Sequence, residues 1–222
     1  MARKRNIAAS AVSLLIAIAI AIVPGSIAFA QDEPPTFLVA KPDLPDPLFG
    51  ESVVLLLPPP AIPIVAGVII NKPTTIPVKR AFPRSDDLKD GAGSVYFGGP
   101  VDLETMLLVR RTPKPSKDER RILGDLYLSV DPNRIAEILK DPALDTTNVR
   151  VFQGYSEWSV PQLAREKRED SWYEVPVQID SVFSSDPQQL WKQMVARAKV
   201  QEVKAAPDVF RVLLSAFELP SP

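Results

Sequence analysis

Twelve prolines fall among the 50 residues from Pro34 to Pro83, including the run Pro58-Pro59-Pro60. Each fixes φ and lacks a backbone N–H, so this stretch cannot hold a long helix, and any strands in it are short pieces between turns. Phe37-Leu38-Val39-Ala40, Ser52 to Leu57 and Ala66 to Asn71 fit that description: apolar, rich in β-branched residues, and bounded by Pro, Asp or Gly. Ser94-Val95-Tyr96-Phe97 is a fourth strand, closed by Gly98-Gly99-Pro100, and Met106 to Val109 is another. Arg80 to Gly93 reads as an exposed polar loop. Arg110 to Arg121 packs eight charged residues around Pro113 and Pro115 and reads as a solvated one.

Farther along, helices enter. Asp125 to Val130 is a strand leading into a helix that Asp131 caps and Pro132 opens, with Ile135, Ile138 and Leu139 on one face. Val149 to Phe152 is a strand leading to Gly154-Tyr155. Ser159 caps a short surface helix to about Glu169, and Tyr173 to Ile179 alternates as a half-buried strand. Asp186 and Pro187 open a helix in which Leu190, Trp191, Met194, Val195 and Ala198 form an amphipathic stripe, and Val209, Phe210, Leu213, Leu214 and Phe217 repeat that spacing. Two C-terminal helices are therefore expected over about 187–217. The pattern predicts one α+β domain with a mixed, mostly antiparallel sheet.

The N-terminus carries an export signal. Arg3, Lys4 and Arg5 precede the 17-residue apolar run Ile7 to Val23, and Ala28-Phe29-Ala30 is a small-x-small cleavage site, so residues 1–30 are expected to be removed and Gln31 exposed. A retained anchor is the competing reading. The run falls just short of the roughly 18–20 residues of a bilayer span, and Pro24-Gly25 interrupts it. Cleavage predicts a periplasmic or secreted protein that meets a membrane only through its leader.

The body left by that cut, residues 31–222, carries 23 Lys+Arg against 27 Asp+Glu, a net charge of −4. Such a surface has no overall pull toward nucleic acid or anionic lipid. The chain has no Cys and no His. Thiolate nucleophiles, lipidated cysteines, disulfides, Ser-His-Asp triads and His/Cys zinc sites are all excluded, as is a simple histidine pH switch. Nothing points to a metal or another cofactor.

Three blocks of residues resemble the YqgE/AlgH family. They are Phe37 to Pro42 with Asp46 to Phe49, Ser52 to Val54 and Ala66 to Pro73; Tyr96 to Val101; and Val151 to Trp158 with Gln162-Leu163 and Trp172. The resemblance covers about Phe37 to Ala198. It implies an α/β domain whose sheet curls into a partly barrel-like body flanked by helices, with no established reaction. Some members carry a transcriptional-regulator label, which applies here only if the leader is not used. Where the family usually has an acidic residue and a histidine, this chain has Pro58-Pro59-Pro60, and Arg110-Arg111 stands where a histidine often ends a strand. Glu157 and Pro161 replace glycines common in the family.

Within these blocks, Gly98-Gly99-Pro100 reads first as a turn and second as a backbone cradle for an anion. Asp46-Pro47 and Asn71-Lys72-Pro73 also read first as turns. If the strand ends meet at one rim, Asp46, Asn71, Gly98, Gly99 and Gln162 form a polar ligand site. The three tryptophans read as packing residues, and Glu166, Glu169 and Asp170 as a solvated face paired with Arg165, Lys167 and Arg168. The leading expectation is a non-catalytic envelope module that binds a small anionic ligand or a protein partner. The alternative is a hydrolase using Ser52 with Lys41 or Lys72, or a carboxylate pair.

Overall fold

The computed structural model describes residues 35–82, 88 and 93–205. In chain order they form β1 (Thr36–Ala40), β2 (Val53–Leu56), β3 (Ile64–Ile69), β4 (Pro73–Pro77), the single-turn helix α1 (Val78–Ala81), β5 (Ser94–Phe97), β6 (Val101–Arg111), β7 (Arg120–Leu123), β8 (Leu126–Ser129), α2 (Pro132–Lys140), β9 (Val149–Ser159), α3 (Val160–Arg168), β10 (Trp172–Pro176), the single-turn helix α4 (Ile179–Val182) and α5 (Pro187–Ala205). The leader and the stripe from Val209 to Phe217 lie outside the described residues.

The main path of the sheet runs β10-β1-β2-β3-β9-β6-β8-β7, with β5 on β9 and β4 on β5. Every pairing is antiparallel except β5 with β9. This is the α+β architecture expected, a mostly antiparallel sheet curled into a half-barrel and flanked by helices.

The curl is organised by β9. Its first half pairs with β6, from Arg110↔Val149 to Met106↔Gln153, and its second half pairs with β3, from Gly67↔Ser156 to Ile64↔Ser159. Between the halves sits Gly154 at φ +67, a left-handed conformation that L side chains rarely adopt. A Cβ there would lie 2.5 Å from the Gly99 carbonyl oxygen, and a Cβ on Gly98 would lie 2.2 Å from the Gly154 carbonyl oxygen. Backbone therefore crosses backbone at this corner, and side chains are excluded on both strands.

Burial on both faces explains the continuous apolar runs. Phe37, Val39, Val53, Leu55, Val68 and Phe152 point to one face, where Leu190, Met194, Val195 and Ala198 of α5 cover them. The alternate residues Leu38, Ala40, Val54 and Ile69 point to the other face, beneath Leu163 of α3, with Trp158 and Trp172 beside them. Farther along that second side, α2 lays Ile135, Ile138 and Leu139 on Leu108, Val149 and Val151. Trp191 donates its indole N–H to the Ala40 carbonyl at 2.7 Å, anchoring α5 to β1. The expected caps are present: Asp131 accepts from Arg134 N at 2.9 Å, Ser159 from Gln162 N at 3.2 Å and Asp186 from Gln189 N at 3.2 Å.

Several segments depart from the sequence reading: β4 was not expected, β9 runs on to Ser159, and β10 ends at Pro176 so that Ile179 opens α4. Arg80 to Gly93 was expected as loop, yet its first residues belong to α1, which follows β4. The stretch from Arg110 to Arg121, expected to be solvated, contains the end of β6 and the start of β7. It also holds a bidentate ion pair in which Arg110 Nε and Nη2 reach Glu119 Oε1 and Oε2 at 2.7 and 2.6 Å. The Glu119 side chain is 0% exposed. Burial pushes its pKa up, but the Arg110 hydrogen bonds and the Ser116 N–H outweigh that and hold the carboxyl below its usual value.

Candidate functional site

The loop between β1 and β2 is built by its own side chains. Asp46 Oδ1 accepts the N–H groups of Leu48 and Phe49, both at 2.8 Å, and the Asp46 carbonyl accepts Gly50 N at 2.7 Å. These bonds turn the chain tightly after Pro45 and carry the Phe49 ring back toward the sheet. Residues beyond β3 hold the loop in place. Asn71 accepts Val53 N–H at 2.8 Å and donates to the Glu51 carbonyl at 2.9 Å, while Lys72 Nζ donates to the carbonyls of Leu48 and Gly50 at 2.6 and 3.2 Å. Burial is the main reason the Lys72 pKa is lowered, with Asp46 and Glu51 pulling the other way.

Phe49 closes an aromatic trio. Its ring lies 5.5 Å from Trp158 at the end of β9 and 5.8 Å from Trp172 at the start of β10, and the two indoles meet edge to face at 6.0 Å. Both indole N–H groups point toward α3. They converge on Glu166 of α3, whose Oε2 accepts from both at 3.0 Å, while Oε1 accepts the Gln162 side-chain amide at 2.9 Å. Three neutral donors thus hold one half-buried carboxylate.

A cavity of about 310 Å³ opens here. Phe49, Trp158 and Trp172 supply its aromatic wall, Asp46, Glu157 and Glu166 its carboxylates, and Gln162 its amide. Pro100 and Val101 close the side nearest the glycine corner. Among the described residues that line it, none is Lys or Arg. Glu157 is exposed at the rim, and the neighbouring Tyr155 phenol has its pKa raised by burial first and then by the charges of Glu157 and Asp102. Among the described residues, no group of acidic side chains is arranged as ligands for one metal ion.

Of the five expected site residues, the structure brings Asp46 and Gln162 into this one cavity. Asn71 is 8% exposed and supports the loop from beneath without lining the cavity. Gly98 and Gly99 are buried in the corner against β9. The Gly98 N–H is donated to the Gln153 carbonyl at 2.9 Å, and its carbonyl accepts from Ile69 N and Ser156 Oγ. That N–H is therefore engaged within the sheet, and the cavity beside it carries three carboxylates, a charge opposite to what an anion requires.

Sequence reasoning missed Phe49, Trp158 and Trp172 as walls and Glu166 as the centre of the site. Glu166 stands one turn beyond Gln162 and three residues beyond the buried Leu163, a spacing that turns it inward while its charged neighbours face out. Of the solvated pairing expected within this helix, Arg165 does meet Glu169 at 3.9 Å, whereas Lys167 pairs with Glu174 of β10 and Asp170 with Lys41 after β1. The candidate nucleophile Ser52 is 0% exposed and its Oγ has no hydrogen-bond partner among the described residues.

A model of the family described as AlgH-like matches residues 37–202. A UPF0301 protein of Streptomyces coelicolor is 36% identical over 168 residues, covering 73% of this chain and 84% of that protein. A UPF0301 protein of Thermobifida fusca is 29% identical and covers 72% and 84%. Among solved structures, the AlgH protein of Pseudomonas aeruginosa matches with a TM-score of 0.59 at 22% identity, over 78% of this chain and 93% of that one. A Corynebacterium diphtheriae protein gives a TM-score of 0.60 at 22% identity, over 75% and 88%. These two likenesses establish the shared fold.

Proposed function

This chain belongs to the AlgH-like family, and from that premise we propose that it is a non-catalytic binding module working outside the cytoplasm once its leader is removed. The observation that carries the binding reading is the aromatic-walled cavity under the Asp46 loop, built from three separate parts of the chain. Its polar groups are tied up in structural hydrogen bonds: Asp46 holds its own loop and Glu166 joins two tryptophans. Groups so engaged suit recognition better than proton transfer, which needs a carboxylate free to change partners. The buried Ser52 argues against a serine hydrolase, because a nucleophile must reach its substrate. The export reading rests on the basic, apolar and small-residue leader.

Mass spectrometry of the protein recovered from an envelope fraction tests export, and the expected N-terminus is Gln31. Binding is tested by a thermal-shift screen and an envelope pull-down with residues 31–222. Turnover of an ester or glycoside panel that disappears in Asp46→Asn or Ser52→Ala, with no ligand found, would overturn the non-catalytic reading.

A further inference from the structure

The Asp46 cavity combines two recognition elements that favour the same chemistry. Aromatic faces attract a cation through the ring quadrupole, and they accept the apolar stem that carries it. Carboxylates attract the same charge from farther away. Phe49, Trp158 and Trp172, which line the cavity and pack on one another at ring separations of 5.5–6.0 Å, provide the first element. Asp46, Glu157 and Glu166 provide the second.

Among the described residues, the charge in the wall has no cation in contact. Glu166 is held by two indole N–H groups and one amide, all neutral. Among the described residues, none of the three carboxylates forms an ion pair with Lys or Arg. The nearby Lys72 ammonium acts on Asp46 only through space, its hydrogen bonds going to loop carbonyls. Since the carboxylates are not grouped to ligate a metal ion, a cation that spreads its charge over a planar or alkylated group fits better than a bare divalent ion.

Resting on the binding reading above, we infer that this cavity takes a small organic cation, an alkylammonium or alkylguanidinium group whose stem lies against Trp158 and Trp172. The test uses butylguanidinium, its neutral isostere butylurea and the anion butanoate, each titrated into residues 31–222 and followed by the indole N–H signals in nitrogen–proton correlation spectra. The chain has three tryptophans. Two donate to Glu166 and the third, Trp191, donates to Ala40. Butylguanidinium is expected to shift the Trp158 and Trp172 signals saturably, about tenfold tighter than butylurea, and to leave Trp191 in place.

Glu166→Gln keeps the shape and an acceptor oxygen while removing the charge, and it should weaken binding several-fold. Glu157→Gln, at the exposed rim, is the second variant if Glu166→Gln does not fold, and it should weaken binding in the same direction. Raising the salt concentration should weaken binding as well. Equal affinity for butylurea, preference for butanoate, or no saturable shift of the Trp158 and Trp172 signals would each overturn the cation assignment. In the first two outcomes the cavity remains a binding site, so the broader reading survives. No shift with any probe, together with hydrolytic turnover, would remove both.

Discussion

Gly154→Ala tests the corner on which the sheet turns. Two costs add there. A left-handed dihedral on a residue with a Cβ costs about 1–2 kcal/mol, and Gly154 sits at φ +67. The new methyl would also stand 2.5 Å from the Gly99 carbonyl oxygen and 3.0 Å from the Val101 carbonyl oxygen, both backbone atoms that cannot rotate away. Overpacking of this kind costs a further 1–3 kcal/mol or so. The expected loss is therefore roughly 3 kcal/mol, or about 6–12 °C in melting temperature for a body of this size. Gly93 supplies the control, since it has φ +72 but no atom within 4 Å of the position its Cβ would take. Gly93→Ala carries the dihedral cost alone and should lower the melting temperature by about 2–4 °C per kcal/mol of strain. Thermal melts by circular dichroism, with urea titrations beside them, measure both. A Gly154→Ala loss no larger than that of Gly93→Ala would refute the close backbone crossing.

Glu119→Ala should destabilise by about 3–5 kcal/mol, because Arg110 would be left buried without its partner. Replacing Arg110 and Glu119 together by Met and Leu should cost much less, which a double-mutant cycle would register. The same pair gives a pH signature. Because the folded Glu119 pKa lies below its ordinary value of 4.5, its stabilisation is complete above that value and is lost as pH falls through the folded pKa. The gap in melting temperature between wild type and Glu119→Gln should therefore be constant near neutrality and shrink on acidification below about pH 4.5; a gap that widens there would contradict the ion-pair account. Ser52→Ala should be neutral or stabilising by up to about 1 kcal/mol, since it deletes a buried hydroxyl with no partner. A loss above about 1 kcal/mol in urea titration would mean that the hydroxyl has a bond not seen here.

The sequence was most legible where local chemistry and tertiary packing agree. The Asp131-Pro132 helix start, the Ser159 cap and the four-residue strand Ser94–Phe97 could all be read directly, because caps and turn-bounded apolar runs are local signals. β4 escaped because its Thr-Thr-Ile core is flanked by prolines, which suit an edge strand yet look like a break. β7 was hidden by Arg120 and Arg121, whose heads have partners that no local pattern announces: Arg120 donates to the carbonyls of Pro58 and Pro59, and Arg121 to the Tyr127 hydroxyl. The site was half legible. Asp46 and Gln162 were singled out for their polar chemistry, whereas Glu166 acquires its role only when β9, α3 and β10 bring two indoles over it, an arrangement that no linear window contains.

The pairings on the two flanks of the β1-β2-β3 meander also set the timetable of assembly. Thr36 of β1 pairs with Pro176 of β10, and Ile64 of β3 with Ser159 of β9. The meander β1-β2-β3 leaves the ribosome early, but its flanks stay open until partners 140 residues downstream of Thr36 and 95 downstream of Ile64 have been made, and such distant closures are slow to find. During that interval the apolar edges are exposed and liable to stick to other chains. Completion of the body therefore waits on the last third of the polypeptide, and a holding chaperone should find its substrate in the nascent first half.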